Sequence, residues 1–313
     1  MAIKNEIWNL SMNEIKKKIA DAALIACLME VLSAKPGNVY PGGEWNFHDL
    51  KVIDFIRSSR AIYYAFLNDD YSSVGQLILN SIIQTRHVTS TNTNLGQMIL
   101  LAPLAWTFFH YGNIAKDTIQ NTINKLNIQD SQSVYRAIRL ANPGGMGDVK
   151  DHDILEVPTL PLDQIMQMAM SYDSVAKQYA NGFHDIISIG ITSLLDNSFS
   201  TEEWQDMTIW CHLHFMARLP DTLIARKCGW KIAEESAKMA ERVLEHHPGS
   251  SSYRSELKSL DQWLRAVGHS RNPGTTADLV TATLFAALLH GRIQKPADIE
   301  TRVAFQLKSV EEN

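Results

Sequence analysis

Apolar residues recur at three- and four-residue steps along this chain, and no convincing set of alternating strands accompanies them, which restricts it to a helical fold. The N-terminal region shows the pattern. Ile15, Ile19, Ala22, Ala23, Ala26 and Met29 line one face of a helix predicted over 13–33. Asn13 suits its N-cap, and Pro36-Gly37 ends it. The same spacing predicts helices near 49–67, 72–86, 95–110, 131–141, 162–181, 184–196, 201–218, 221–246, 252–267, 275–291 and 296–308. No internal repeat, low-complexity tract or shift of composition divides the chain. The expectation is an all-α protein with one domain over residues 1–313.

Composition removes several classes of function. Apolar residues are 45% and charged residues 20%, an ordinary balance for a folded chain. The formal net charge is -5 and no basic run alternates with aromatics, so nucleic acid is not an expected partner. Cys27, Cys211 and Cys228 are too few and too scattered for a disulfide framework or a zinc knuckle. They read as free thiols in a reducing compartment. The N-terminal region lacks the secretory pattern. The longest apolar stretch, Leu95 to Tyr111, contains Gln97 and Pro103 and is shorter than the roughly 20 residues of a membrane span. It reads as a buried core helix, and no membrane partner is expected.

Polar motifs at the edges of the helical runs carry the chemistry. Glu30 to Gly37 contains an acid, a lysine and a Pro-Gly turn, and His48-Asp49 follows it. Thr91 to Gly96 sets a row of cap-type residues before an apolar helix. Asp221 to Lys227 opens another helix with an acid and closes with Arg226 and Lys227. Arg271 to Asp278 leads through Asn272 and Pro273-Gly274 into a third. Helix starts and tight backbone turns bind anions, and nearby acids suit a divalent cation. Together the motifs suggest a metal-assisted polyphosphate site. Taken one at a time, each also reads as a helix cap or a solvated surface charge. Asn142 to Asp148 is glycine-rich but lacks the context of a phosphate-binding P-loop. The Asp173 and Lys177 spacing reads as a surface pair four residues apart.

In this order the motifs resemble the triphosphoribosyl-dephospho-CoA synthase family. The residues that carry the resemblance are Glu30, Lys35-Pro36-Gly37, His48-Asp49, Asn92-Thr93-Asn94 with Gly96, Asp221-Thr222, Asn272-Pro273-Gly274 and Ala277-Asp278. The resemblance implies an all-helical cytoplasmic enzyme. Such an enzyme transfers triphosphoribosyl from ATP, with loss of adenine, to an acceptor hydroxyl such as that of dephospho-CoA. It also implies Glu30, Asp49, Asp221 and Asp278 as the acidic set, divided between base catalysis and magnesium binding. Lys35, Gly37, Thr93, Asn94, Arg226, Lys227, Arg271 and Asn272 are the expected phosphate contacts. A homo-oligomer is compatible with the pattern.

Family members active on dephospho-CoA tend to read Asn-Thr-His-Lys-Gly where this chain has Asn92 to Gly96. The segments around Met146, Gln178-Tyr179 and Ala225-Arg226-Lys227 are more similar to a divergent branch from archaea and one-carbon-metabolising bacteria. That branch suggests a second acceptor, a tetrahydromethanopterin-type pterin precursor receiving ribosyl phosphate from ATP or phosphoribosyl pyrophosphate. The lost imidazole also leaves open a nucleotide-binding protein without catalysis.

Overall fold

A computed structural model describes residues 10–42, 50–143, 154–196, 199–200 and 202–311. The described residues form helices joined by turns and loops, and no strand. Asp49 and His48 lie outside them, as does the glycine-rich stretch at 144–153.

The first helix, α1 (Met12–Leu32), starts one residue earlier than its apolar pattern suggests. Ser11, rather than Asn13, caps it. The Ser11 hydroxyl accepts from the Glu14 amide at 3.3 Å, and the Glu14 carboxylate accepts from the Ser11 amide at 2.7 Å. Twelve of its residues are buried, from Ile19 to Leu32, because other helices enclose its C-terminal half.

Helices α2 (Val52–Asn68), α3 (Val74–Val88) and α4 (Leu95–Tyr111) follow. α4 is the long apolar stretch, and it is buried along nearly its whole length. Next come α5 (Lys116–Ile123) and α6 (Ile128–Ala141), the latter packed on α3. The sequence pattern misses α5, because only Ile119, Thr122 and Ile123 are buried in a short, mostly polar segment.

The run expected over 162–181 is two helices, α7 (Leu162–Ala169) and α8 (Ser174–Asn181). Asp173 starts the second by accepting from the Val175 and Ala176 amides at 2.8 and 3.2 Å. A π-helical segment, Ile186–Ile191, follows. The run expected over 221–246 also divides. Helices α9 (Trp204–Arg218), α10 (Thr222–Cys228) and α11 (Trp230–Leu244) are separate, with Gly229 at φ +88° between the last two. Helices α12 (Ser251–Arg265), α13 (Gly274–Leu289) and α14 (Ile299–Glu311) complete the fold.

α13 is the central strut. It is buried almost all round and packs on α1, α4, α9 and the π-helical segment. The main core gathers around it. A second, smaller core of Trp210, Leu213, Met216, Ile224, Tyr253, Leu260 and Leu264 joins α9 to α12. The two cores meet at the ends of α1, α4, α8, α10 and α13, where the polar motifs converge. No single helix among the described residues is long and apolar enough to cross a membrane.

Candidate active site

Asp221 is the latch of this region. It is 2% exposed and sits between two helix starts. Its Oδ1 accepts from the Leu223 and Ile224 amides at 2.8 and 3.0 Å, which caps α10. Its Oδ2 accepts from the Thr276 amide at 2.7 Å and the Thr276 hydroxyl at 2.8 Å, which holds the first turn of α13. Burial raises its pKa, and these four hydrogen bonds oppose the rise. Thr222 adds a contact to the Thr275 hydroxyl at 3.2 Å and accepts from the Ser174 amide at 3.3 Å. The start of α8 is thereby tied to the same junction.

Asp278 lies one turn into α13 and keeps part of its surface exposed. It faces Gly96 near the start of α4. A Cβ at Gly96 would stand 2.0 Å from Asp278 Oδ2 and 2.6 Å from its Cγ, so only glycine leaves room for the carboxylate there. Among the described residues Asp278 has no hydrogen bond or ion pair. Its pKa lies well above the usual carboxylate range. Burial is the main cause, the nearby charges of Glu30, Asp221 and Asp173 add to it, and Arg226 opposes it.

Glu30 and Lys35 form a buried ion pair at 3.0 Å, with the two side chains 3% and 0% exposed. The Lys35 ammonium also donates to the Glu30 and Ser33 carbonyls. Burial pushes Glu30 up and Lys35 down, and their attraction opposes both shifts. Lys35, expected to contact phosphate, is thus engaged by the protein itself. Its three donors face protein oxygens, so the side chain is a strut for the turn after α1. Gly37 supplies that turn at φ +68°, and its amide donates to Asp261 at 2.7 Å.

The other expected contacts separate into two groups. Thr93 and Asn94 are buried at the start of α4. Thr93 shares a 2.6 Å hydrogen bond with Ser58, and Asn94 donates to Thr85 at 2.8 Å. The Asn94 amide oxygen has no partner among the described residues, and neither does that of Asn272. Arg226 reaches back to Asp173 at 2.7 Å, with 36% of its side chain exposed. The surface pair expected between Asp173 and Lys177 is not formed, since Lys177 bonds Asp185 at 3.1 Å. Lys227 donates to the His269 carbonyl at 3.2 Å. Arg271 lies 3.9 Å over the Trp263 ring and donates to the Trp263 carbonyl, so packing occupies it.

Asp173 and the Gly96–Asp278 contact are the parts of the site that sequence reasoning missed. The glycine was visible in the motif, but its partner lies 182 residues away on another helix. Of the expected four-acid magnesium set, Glu30 and Asp221 lie near enough to Asp278 for their charges to raise its pKa. Asp49 lies outside the described residues, Glu30 holds Lys35, and both Asp221 oxygens are on protein donors. No group of three or more His, Cys, Asp or Glu among the described residues is arranged to hold a metal ion.

A family model matches most of the chain. The ATP:dephospho-CoA triphosphoribosyl transferase model covers residues 16–296. The chain belongs to that family. A solved structure from Archaeoglobus fulgidus, provisionally assigned as a triphosphoribosyl-dephospho-CoA synthase, is similar to it at 25% identity and a TM-score of 0.59. The similarity covers 75% of this chain and 98% of that one. No curated protein matches the chain. All the motifs that converge on Asp278 fall within the residues the family model spans.

Proposed function

We propose that the protein transfers the triphosphoribosyl group of ATP to a hydroxyl of dephospho-CoA and releases adenine. Family membership supports the reaction, and one observation supports its location. Asp278 is a carboxylate with no protein partner among the described residues, set in a junction of helix starts.

In the transfer, the acceptor oxygen bonds the anomeric carbon while the bond to adenine breaks. Adenine leaves with that electron pair, and the acceptor hydroxyl loses its proton. A carboxylate with a raised pKa is, once ionised, a stronger base than an ordinary aspartate. Asp278 is the residue for that role. Positive charge that builds on the sugar ring is favoured by a carboxylate nearby, and Asp173 lies close to Asp278. The triphosphate is assigned to the start of α4, a helix of 17 residues, and to Arg226. Arg226 is already held at the junction by Asp173. Asp221 shapes the site rather than acting in it, since its four contacts are all to protein. Magnesium bound with the triphosphate would neutralise phosphate charge. Glu30 and Asp221 do not fit as its ligands.

The family match and the archaeal neighbour favour dephospho-CoA over a pterin acceptor. The test is adenine release from ATP with magnesium, with and without dephospho-CoA, followed by mass spectrometry. Release that depends on dephospho-CoA, with one triphosphoribosyl unit added to it, is the expected result. A protein that binds ATP but releases no adenine with this acceptor refutes the assignment.

A further inference from the structure

α13 carries Asp278 near one end. Its other end, together with the π-helical segment, lines a separate, partly open pocket of about 120 Å³. Leu104 of α4, Ile119 of α5, Phe183, Ile186, Ile191 and Ala286 form its apolar wall. An apolar cavity close to this size binds molecules of about six heavy atoms. The backbone around it is unusual in two independent ways. Phe183 adopts φ +60°, which a bulky residue reaches only at a cost, and the next turns are π-helical rather than α-helical. Both deviations recur where proteins bind ligands.

The mouth is basic. Arg292 lines it, is exposed, and has no carboxylate within ion-pair reach among the described residues. His290 lines it as well and accepts from the Ile114 amide at 3.1 Å. Burial lowers the proton affinity of His290, and the nearby charges of Arg292 and Lys18 lower it further.

We infer that this cavity is a second binding site, one that takes a short unbranched carboxylate with its chain among the isoleucines and its headgroup on Arg292. The inference does not depend on the transfer reaction proposed above. Five isoleucines (Ile114, Ile119, Ile186, Ile187 and Ile191) line the cavity, which makes it directly observable by isoleucine-methyl NMR. The probes are hexanoate, hexanol and the bulky pivalate, titrated into the full chain. Hexanoate should shift these five methyls in a saturable way and leave distant isoleucines such as Ile224 unmoved. Hexanol should bind about fivefold more weakly, the size of an exposed ion pair, and R292Q should abolish that difference. Pivalate should bind more weakly than hexanoate. Arg292 is exposed, so R292Q is expected to fold, and its unperturbed methyl spectrum checks this. Absence of saturable shifts, shifts centred elsewhere, or equal affinity for hexanoate and hexanol overturns the inference.

Discussion

Replacing Gly96 with alanine separates the chemistry of the site from its stability. The added Cβ would meet Asp278 Oδ2 at 2.0 Å, whereas ordinary contact begins near 3.4 Å. The carboxylate must therefore move by about 1.4 Å, because such overlap is far up the repulsive wall. It can do so, since no protein hydrogen bond among the described residues holds it. A displacement of about 1 Å at a reacting group costs on the order of 100-fold in rate. Stability should move the other way. Gly96 is inside α4, where alanine is preferred over glycine by about 0.5–1 kcal/mol. The assay pairs adenine-release kinetics with a melting curve. The expected variant melts no lower than wild type and turns over about 100-fold more slowly. Full activity in G96A would show that Asp278 does not act from its position against α4.

Three further outcomes follow from the same junction. Asp278 has a raised pKa, so its ionisation opposes folding: stability declines as pH rises from the ordinary carboxylate range through the raised value. D278N should accordingly melt higher than wild type at pH 7, converge with it near pH 4, and lose adenine release; a lower melting temperature at pH 7 refutes the burial argument. D221A removes the cap of α10 and leaves the Thr276 amide and hydroxyl without an acceptor, a loss of about 3 kcal/mol in urea unfolding. A change under 1 kcal/mol would show that Asp221 is not the latch. K35M strands the buried Glu30 charge and should cost about 3–5 kcal/mol, with K35M/E30Q recovering much of it. A stable K35M protein with weakened ATP binding would return Lys35 to the phosphate-binding set.

The helical fold was legible because burial follows residue spacing, and α4 and α13 are buried almost all round as apolar runs of that length require. Breaks within helices were less legible. Asp173 and Gly229 divide runs whose apolar pattern continues across them, since each break is decided by local capping and backbone conformation. In the site, the capping role of Asp221 was readable from its place before Thr222. Its second bond, to Thr276, was not, because that partner is 55 residues away. Lys35 was harder to read for a related reason: a lysine beside a Pro-Gly turn looks like an anion ligand until Glu30, one turn back, takes its charge in a dry interior. Local spacing marks which residues are polar and out of place. Pairing between distant helices decides which of them remain available to a substrate.

The Asp221 latch has a consequence for how this protein can fail. One carboxylate fastens the starts of α10 and α13, and Thr222 fastens the start of α8 to the same point. The smaller core hangs on α10, and the larger one is threaded by α13. Releasing that keystone loosens three struts together, which couples their openings. A population of molecules warmed toward unfolding should divide into fully competent and wholly inert members, with the average rate falling because fewer molecules work rather than because each works more slowly.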